Sequence, residues 1–297
     1  MKLSVVIITL NEERNLPRCL ASLQGVADEV VVVDSFSSDG TRAIAEQSGA
    51  RFIEHVFEGH IQQKNFALSC ASYEWILSLD ADEALDDTLR ESILQVKKSG
   101  PRLRSGTETQ SGTETQTGTE TQSDNTTQSG TETQSDNTTY NTLNGLDHAT
   151  GYSMNRLTNY CGHWVKHCGW YPDTKVRLVR KGAGEWRGVN PHDRLDLIDN
   201  AQPTHLKGNI LHYSYYSLDD HRKQIEFFGD IAARELFAQG TRVTMGMIYT
   251  KVIAQFIKSY IIKLGILDGS TGWTISRMSA FATWRKYIKL KKLHQTT

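Results

Sequence analysis

The first 80 residues alternate between runs of β-branched residues and segments with helical periodicity, and this alternation restricts the possible folds most. The run Ser4–Thr9 shows no polar alternation, which is typical of a strand buried on both faces of a parallel sheet. Further strands are predicted at Glu29–Val33, Arg51–His55 and Trp75–Leu79, with helices between them. Repeated strand–helix units of this kind build a doubly wound, mostly parallel α/β sheet, which is Rossmann-like.

Three of these strands are followed by polar residues. Thr9 precedes Asn11 and Glu12, the second strand ends in Asp34, and the fourth runs into the segment Asp80–Glu83. In doubly wound sheets the ligand crevice lies beyond the carboxyl ends of the strands. We therefore expect these residues to converge on one site.

The carboxylates of Asp80 and Asp82 need a partner, because a charge at the end of a buried strand is costly to desolvate. A divalent cation that carries a nucleotide diphosphate would be such a partner, since Mg²⁺ and Mn²⁺ share oxygen ligands with phosphates. The alternative is an acidic first turn of the next helix, where carboxylates interact favourably with the helix dipole. The short Asp-x-Asp pattern alone is compatible with both interpretations.

A nucleotide would explain the other polar groups. Asp34 can accept a hydrogen bond from a base and Asp80 from a ribose hydroxyl, which leaves Asp82 for the metal. Lys64, early in the helix before the fourth strand, can contact a base or phosphate, unless it is a solvated helix lysine. The first strand is followed by neither Gly-x-Gly-x-x-Gly nor a Walker lysine motif, so the sequence does not favour a dinucleotide or NTPase site.

Residues 4–15, 31–41, 63–65 and 79–83, in this order, resemble family 2 glycosyltransferases of the GT-A fold, in particular the lipopolysaccharide core β-glucosyltransferase subgroup. The resemblance implies a nucleotide-sugar donor, expected to be a UDP-sugar, and inversion at the anomeric carbon. It also implies a Mg²⁺ or Mn²⁺ ion on Asp82 and a glycan or lipid-linked acceptor. The residues expected to bind the donor are Thr9, Asn11, Glu12, Asp34, Lys64, Asp80, Ala81 and Asp82.

The second half of the chain supplies candidates for a catalytic base and a further metal ligand. His192-Asp193 stands where the subgroup has a histidine followed by an acidic residue, so Asp193 is the candidate base that takes the proton of the acceptor hydroxyl. Its alternative is a surface acid beside Arg194. His212, in a predicted strand over 209–215, fits the late metal-ligating histidine of GT-A enzymes; its alternative is a core histidine.

A repeated Ser-Gly-Thr-Glu-Thr-Gln unit occupies residues 105–139 and contains no apolar side chain. Such a segment cannot offset the entropy of ordering, so we predict a disordered insertion. The expected organisation is then a nucleotide-sugar-binding half (1–104), the insertion (105–139), an acceptor and catalytic half (140–216) and a helical region (217–297).

Two cysteines and two histidines lie within residues 161–168, but structural zinc sites usually draw their ligand pairs from separate elements. We instead expect an aromatic wall of the acceptor site, formed by Trp164, Trp170 and Tyr171.

The last third of the chain is predicted to be helical. A capping box at Ser217 begins a helix that ends before Gly240, and a second helix is predicted over 245–264. Lysines interrupt every apolar run, so none approaches the roughly 20 residues that a membrane span needs. The second helix either packs on the domain or lies in a membrane interface, and the basic segment 284–292 favours an anionic membrane surface.

The net charge, the number of cysteines and the N-terminal sequence argue against other classes of protein. The net charge of −1 gives no electrostatic case for nucleic acid as a partner. Four cysteines in 297 residues are too few for a disulfide framework, and the N-terminus does not have the pattern of a signal peptide. We therefore expect a cytoplasmic protein that is peripheral on the inner face of the cytoplasmic membrane.

These observations predict a metal-dependent hexosyltransferase for lipopolysaccharide core or another cell-surface glycan. One alternative is a nucleotidyltransferase, which also holds a metal with carboxylates but would need a basic, Gly-rich loop where the segment 11–13 is Asn-Glu-Glu. The other is a non-catalytic carbohydrate-binding or scaffold protein on a degenerate fold. The presence of Asp80, Asp82 and Asp193 argues against it.

Overall fold

The computed structural model describes residues 1–100, 149–189 and 192–296. Within these ranges the strands are β1 Leu3–Thr9, β2 Glu29–Asp34, β3 Arg51–Glu54, β4 Trp75–Asp80, β5 Glu83–Leu85, β6 Gly151–Tyr160, β7 His163–Val165, β8 Asp173–Arg180, β9 Gly184–Val189, β10 His192–Leu197 and β11 Thr204–Tyr215. The α-helices are α1 Leu16–Ser22, α2 Thr41–Gln47, α3 His60–Cys70, α4 Asp87–Ser99, α5 Leu218–Ala238, α6 Met245–Ile257 and α7 Gly269–Thr296. The predicted insertion 105–139 lies outside the described residues.

One large sheet organises the fold, with strand order β3-β2-β1-β4-β8-β6-β11-β5 and β7 paired to β6. The strands β1 to β4 pair in parallel, as the strand–helix alternation predicts. Beyond β4 the sheet is mixed, because β8 is antiparallel to both β4 and β6, and β5 is antiparallel to β11. The predicted GT-A-type α/β fold with a helical C-terminal region is confirmed.

Alternate residues of β1 contribute to two separate cores. Val5 and Ile7 belong to the core that includes residues of α1, α2 and α4, whereas Val6 belongs to the core that includes residues of α3 and of the β9–β10 hairpin. All three side chains are at most 1% exposed. Both faces of the strand are therefore covered, which is why its sequence shows no polar alternation.

The short strand β5 fixes the acidic segment after β4 against β11. His212 is paired with Glu83, and the backbone N–H of Tyr213 donates a 2.9 Å hydrogen bond to the carbonyl of Asp82. Gly208 lies where β11 passes the start of α4, and its φ of +100° is in the region that favours glycine. A Cβ atom there would lie 2.2 Å from the backbone nitrogen of Leu89, so the approach requires glycine.

The helical region begins as predicted. Ser217 caps α5 by accepting a 3.1 Å hydrogen bond from the backbone N–H of Asp220. The second predicted helix, however, ends at Ile257 rather than at 264, because the chain passes into a π-helical turn over Lys258–Ile262 and Leu264 takes a left-handed φ of 54°. None of the helices in the described part of the chain is both long enough and apolar enough to cross a membrane.

The predicted basic segment lies on α7, and part of its charge is neutralised within the protein. Arg285 donates two hydrogen bonds, of 2.5 and 2.6 Å, to the carboxylate of Glu226 on α5. Lys289 lies 3.0 Å from Glu226 and 2.8 Å from Asp230, also on α5. These pairs attach α7 to α5, so Lys289 is not available to a membrane surface.

Candidate active site

A cavity of about 510 Å³, which we call the donor cavity, lies at the carboxyl ends of β1 and β4. This is the edge of the sheet where the strand order places a ligand crevice. Residues from both halves of the chain line it, so the fold brings together most of the predicted site. The predicted residues on its wall are Thr9, Glu12, Lys64, Asp80, Ala81, Asp82, Asp193 and His212.

Lys64 is buried at the centre of this site and is not a solvated helix lysine. Its Nζ donates a 2.7 Å hydrogen bond to Asp193 Oδ2 and lies 3.1 Å from Asp80 Oδ1. The same ammonium group is 4.2 Å from the centre of the Trp186 ring, within cation–π range. Lys64 therefore connects the candidate base to the Asp-x-Asp motif.

Asp80 is held as a carboxylate by two cations. Burial raises the pKa of Asp80, but the charges of Lys64 and Arg177 outweigh this effect and hold the pKa well below its usual value. The backbone N–H of Asp80 also donates a 3.1 Å hydrogen bond to Glu83, whose other carboxylate oxygen accepts a 2.8 Å hydrogen bond from Arg177. Glu83 is fully buried, so it positions Arg177 and the turn after β4.

Asp82 and His212 form a pair at the wall of the donor cavity. His212 Nε2 lies 3.2 Å from Asp82 Oδ2, and His212 Nδ1 lies 3.4 Å from Thr158 Oγ1. Burial lowers the pKa of His212, but the charge and hydrogen bond of Asp82 outweigh it, so the pKa is raised above its usual value.

The Asp82–His212 pair fits a metal that arrives with a nucleotide. In the described ranges no three His, Cys, Asp or Glu side chains form a ready metal cluster. A Mg²⁺ ion, however, usually takes only one or two protein groups and completes its coordination with substrate phosphates and water. The Asp82 carboxylate is the donor type that Mg²⁺ and Mn²⁺ prefer, whereas the imidazole of His212 is a less usual ligand for these ions.

The donor cavity is dense in negative charge. Burial, together with the carboxylates of Asp82, Asp80 and Asp39, raises the pKa of Glu12 to about 7, although Asn15 donates a 2.8 Å hydrogen bond to Glu12. Burial is the largest cause of this shift, and a cation bound among these carboxylates would relieve only the smaller part that their charges cause.

Two predicted donor-binding residues do not line the cavity. The Asp34 carboxylate is 1% exposed and accepts three 2.6 Å hydrogen bonds, from Thr9 Oγ1 and from the backbone N–H and hydroxyl of Ser37. The Asn11 side-chain carbonyl accepts a 2.9 Å hydrogen bond from the backbone N–H of Ser38. A carboxylate has about four acceptor positions, so little of Asp34 remains for a base. These residues instead join the loops that follow β1 and β2.

Arg177 and Trp186 belong to the site but were not predicted from the sequence as site residues. Arg177 is 3% exposed and lies 4.9 Å from the centre of the Trp186 ring, which also contacts Lys64. Arg177 lies on β8, and a basic residue among the apolar residues of a strand usually points to solvent. The signal that could have identified Arg177 is the cluster of carboxylates after β4, which requires buried cations.

The predicted aromatic wall has a different role. The donor cavity is not lined by Trp164, Trp170 or Tyr171, and neither is a second cavity that adjoins it at Lys64, Asp80 and Asp193. The Trp170 ring packs 5.8 Å from Tyr160 and 5.7 Å from Tyr215, between ring centres. This aromatic cluster stabilises the end of β6 and β11, because tilted and edge-to-face ring pairs at such distances are favourable.

Residues 4–155, more than half of the chain, match the family model described as glycosyl transferase family 2. An uncharacterized glycosyltransferase of Rickettsia typhi is 25% identical over 98% of this chain and 87% of its own length. The lipopolysaccharide core biosynthesis glycosyltransferase LpsC of Rhizobium meliloti is 45% identical, over 31% of this chain and 35% of that protein.

Among solved structures, the glucosyl-3-phosphoglycerate synthase of Mycobacterium tuberculosis in complex with Mn²⁺, UDP and glucosyl-3-phosphoglycerate is 25% identical in the matched region. The match covers 33% of this chain and 40% of that chain, with a TM-score of 0.30.

Proposed function

The chain belongs to glycosyl transferase family 2 and is a glycosyltransferase, and we propose that it transfers a sugar with inversion from a UDP-sugar to a glycan or lipid-linked acceptor. One observation carries this proposal. Asp193, from β10, lies on the wall of the same cavity as Asp80 and Asp82, and a single lysine contacts both Asp193 and Asp80. The site thus combines a carboxylate base with the groups that hold a nucleotide diphosphate.

In the proposed reaction, the acceptor hydroxyl oxygen attacks the anomeric carbon from the side opposite the diphosphate. The bond between the acceptor oxygen and the anomeric carbon forms, and the bond from that carbon to the diphosphate oxygen breaks. The electron pair of the broken bond leaves with UDP, and the hydroxyl proton passes to the Asp193 carboxylate. Lys64 keeps Asp193 oriented toward the donor cavity through its 2.7 Å contact.

Asp82 and His212 would hold a Mg²⁺ or Mn²⁺ ion, which supplies positive charge beside the diphosphate. Asp80, kept ionised by Lys64 and Arg177, is available to accept a hydrogen bond from the ribose. Buried cations and carboxylates in fixed positions act strongly on a reacting group, because the site excludes much of the screening water.

The nucleotidyltransferase alternative is not supported by the loop after β1. That loop carries Glu12 and Glu13, and Glu13 accepts a 2.9 Å hydrogen bond from the backbone N–H of Gly40. The loop contains no glycine and only one basic residue, Arg14, so it is not the basic, Gly-rich loop that cradles a triphosphate.

We place the enzyme in the synthesis of lipopolysaccharide core or another cell-surface glycan, and the relative LpsC supports this placement. In this assignment residues 1–104 bind the donor and residues 140–216 supply the acceptor side.

We further propose that the enzyme works on the inner face of the cytoplasmic membrane and touches it with α6 and the turns that follow. This surface, which we call the C-terminal apolar surface, exposes large apolar side chains: Tyr249, Ile253, Ile257, Ile261, Ile262 and Leu264. Lys251, Lys258 and Lys263 are exposed among them. Apolar groups flanked by lysines are typical of helices that lie in the interface of an anionic membrane.

The test of the activity is a screen of nucleotide sugars with purified full-length protein and Mn²⁺. A donor at 100 times its Kd should raise the free energy of unfolding by about 2.7 kcal/mol. We expect a UDP-sugar to give the largest rise in melting temperature and to be hydrolysed slowly, with release of UDP. If no nucleotide sugar stabilises the protein or is hydrolysed, the proposed function is wrong.

A further inference from the structure

A second cavity of about 510 Å³ lies beside the donor cavity. The two cavities share three lining residues, Lys64, Asp80 and Asp193. Asp193 therefore stands at their junction. A base in an inverting transfer must face the acceptor on one side and the donor on the other, so the second cavity is where the acceptor would lie. This step rests on the proposed function.

The wall of the second cavity carries more cations than acids. In addition to the shared residues, it contains Arg156, Lys175, Arg177 and Arg194, against the single further acid Asp196. A neutral sugar needs hydroxyl-binding groups of both kinds, not four cations on one wall. The composition instead suits a ligand that carries negative charge.

Three of these cations share two carboxylates, which leaves one positive charge in excess among them. Asp173 lies 2.8 Å from Arg156 and 2.9 Å from Lys175, and Glu83 lies 2.8 Å from Arg177 and 3.7 Å from Arg156. Asp80, at 3.4 Å from Arg177, lies closer to Lys64, at 3.1 Å. Among the described residues Arg194 pairs only with Asp196, two residues along β10, where such an exposed pair is weak.

Arg177 provides an independent observation. It is 3% exposed, and its Nη2 donates to Glu83, but its Nε and Nη1 have no hydrogen-bond partner among the described residues. A buried guanidinium N–H without an acceptor is costly, so native structures usually supply one. A bound oxyanion, reached by a small adjustment of this side chain, would supply it.

We propose that the second cavity is an acceptor subsite for an anionic sugar, in which a carboxylate or phosphate group binds the cations of β6 and β8 while a hydroxyl faces Asp193 on β10. The guanidinium and ammonium groups of Arg156 and Lys175 bind the anion, and Arg177 completes its coordination from the buried side. A neutral acceptor of the same shape leaves these cations without their partner and binds more weakly.

Three probes with the same ring test this assignment: methyl β-glucoside, methyl β-glucuronide and methyl β-glucoside 6-phosphate. Their binding to the full-length protein with UDP and Mn²⁺ is measured by saturation-transfer NMR. We expect one or both charged probes to bind about ten- to a hundredfold more tightly than the neutral one, as hydrogen bonds to charged groups imply. The tighter of the two identifies the anion as a carboxylate or a phosphate.

Lys175→Gln and Arg194→Gln should each reduce this preference while leaving UDP binding unchanged. The matched control is Arg180→Gln, because Arg180 is on the same strand as Lys175 but pairs with Glu74 and does not line the cavity. Equal binding of the three probes, or no binding of any, overturns the assignment. UDP-sugar hydrolysis, measured in separate samples of the same protein preparation, keeps the two hypotheses apart, because hydrolysis supports the proposed function whichever probe binds.

Discussion

Lys64 donates a 2.7 Å hydrogen bond to Asp193, and this contact joins the helix before the Asp-x-Asp motif to the strand that carries the candidate base. Because Lys64 also contacts Asp80, the candidate base and the carboxylate proposed to bind the nucleotide share one buried cation. Their relative position is therefore fixed before any substrate binds.

Replacing the base should affect turnover far more than donor binding. Asp193→Asn keeps the side-chain shape but cannot take the acceptor proton, so we expect kcat to fall by roughly 10²- to 10⁴-fold. The affinity for the UDP-sugar should change little. Steady-state kinetics and calorimetry check the two quantities, and near-normal turnover would mean that the base is another residue.

The two aspartates of the motif should differ in what they bind. Asp82→Ala should abolish the Mn²⁺ dependence of donor binding, because Asp82 pairs with His212 at the proposed metal position. Asp80→Ala should weaken the nucleotide more than the metal. Titration of UDP with and without Mn²⁺ measures both, and an unchanged Mn²⁺ effect in Asp82→Ala would contradict the metal role.

The approach of β11 to α4 should be intolerant of a side chain. Gly208→Ala should lower the free energy of unfolding by more than about 2 kcal/mol, because the new Cβ would overlap the Leu89 backbone and φ is +100°. Gly182 also has a positive φ, of +80°, but faces open space, so Gly182→Ala should cost only about 1–2 kcal/mol. Urea unfolding compares the two variants, and equal losses would show that backbone strain alone sets the cost.

The stability of the aromatic cluster should depend on pH through His221. This side chain is 7% exposed, its Nδ1 lies 2.8 Å from the Tyr160 hydroxyl, and burial lowers its pKa to about 4. In the unfolded chain the pKa is near 6.5, so the unfolded state binds more protons between these values and stability falls as the pH drops from 6.5 toward 4.

The contribution of His221 approaches about 1.4 kcal/mol per pH unit in that window. His221→Gln keeps a polar side chain but does not titrate, so its unfolding free energy should fall less steeply over the same pH range. If the unfolding free energy of the wild type and of the variant falls equally steeply with decreasing pH, His221 is not the source of the pH dependence.

Membrane contact should depend on the C-terminal apolar surface rather than on Lys289. A double variant that combines Ile253→Gln and Ile261→Gln should sediment less with anionic liposomes. A second double variant, with Lys258→Gln and Lys263→Gln, should bind liposomes in a way that depends less on salt concentration. Hydrolysis of a soluble UDP-sugar should be unchanged in both. Lys207→Gln, an exposed lysine on β11, is the control. If the wild-type protein does not sediment with anionic liposomes at low salt, the proposed membrane contact is wrong.

The sequence predicted well what depends on local patterns. The strands β1 and β2 follow from β-branched runs, β3 and β4 follow from short segments with apolar residues, and the capped start of α5 follows from Ser217. All of these signals lie within a few neighbouring residues. The position of the predicted ligand crevice follows from strand order alone, and eight of the predicted residues line the cavity found there.

The parts that the sequence did not predict depend on contacts between distant segments. Arg177 is buried among Glu83, Asp80 and Trp186, and the two carboxylates lie 94 and 97 residues from it in the sequence. Asp34 is a polar strand end like Asp80, but Ser37 and Thr9 use its acceptor positions. Trp170 was expected in an aromatic wall of the acceptor site, but its half-buried ring packs against Tyr160, a contact between two strands that the local sequence does not show.

The pairing of β5 with β11 also has an evolutionary consequence. The backbone register that places His212 opposite Glu83 is set by hydrogen bonds between these two strands, and residues 101–148 enter the chain between α4 and β6. Lengthening a connection costs little, about 0.6 kcal/mol for each doubling of its length. We therefore predict that repeat units can be gained or lost there over generations while the Asp82–His212 distance stays the same, because the pairing of β5 with β11 sets that distance.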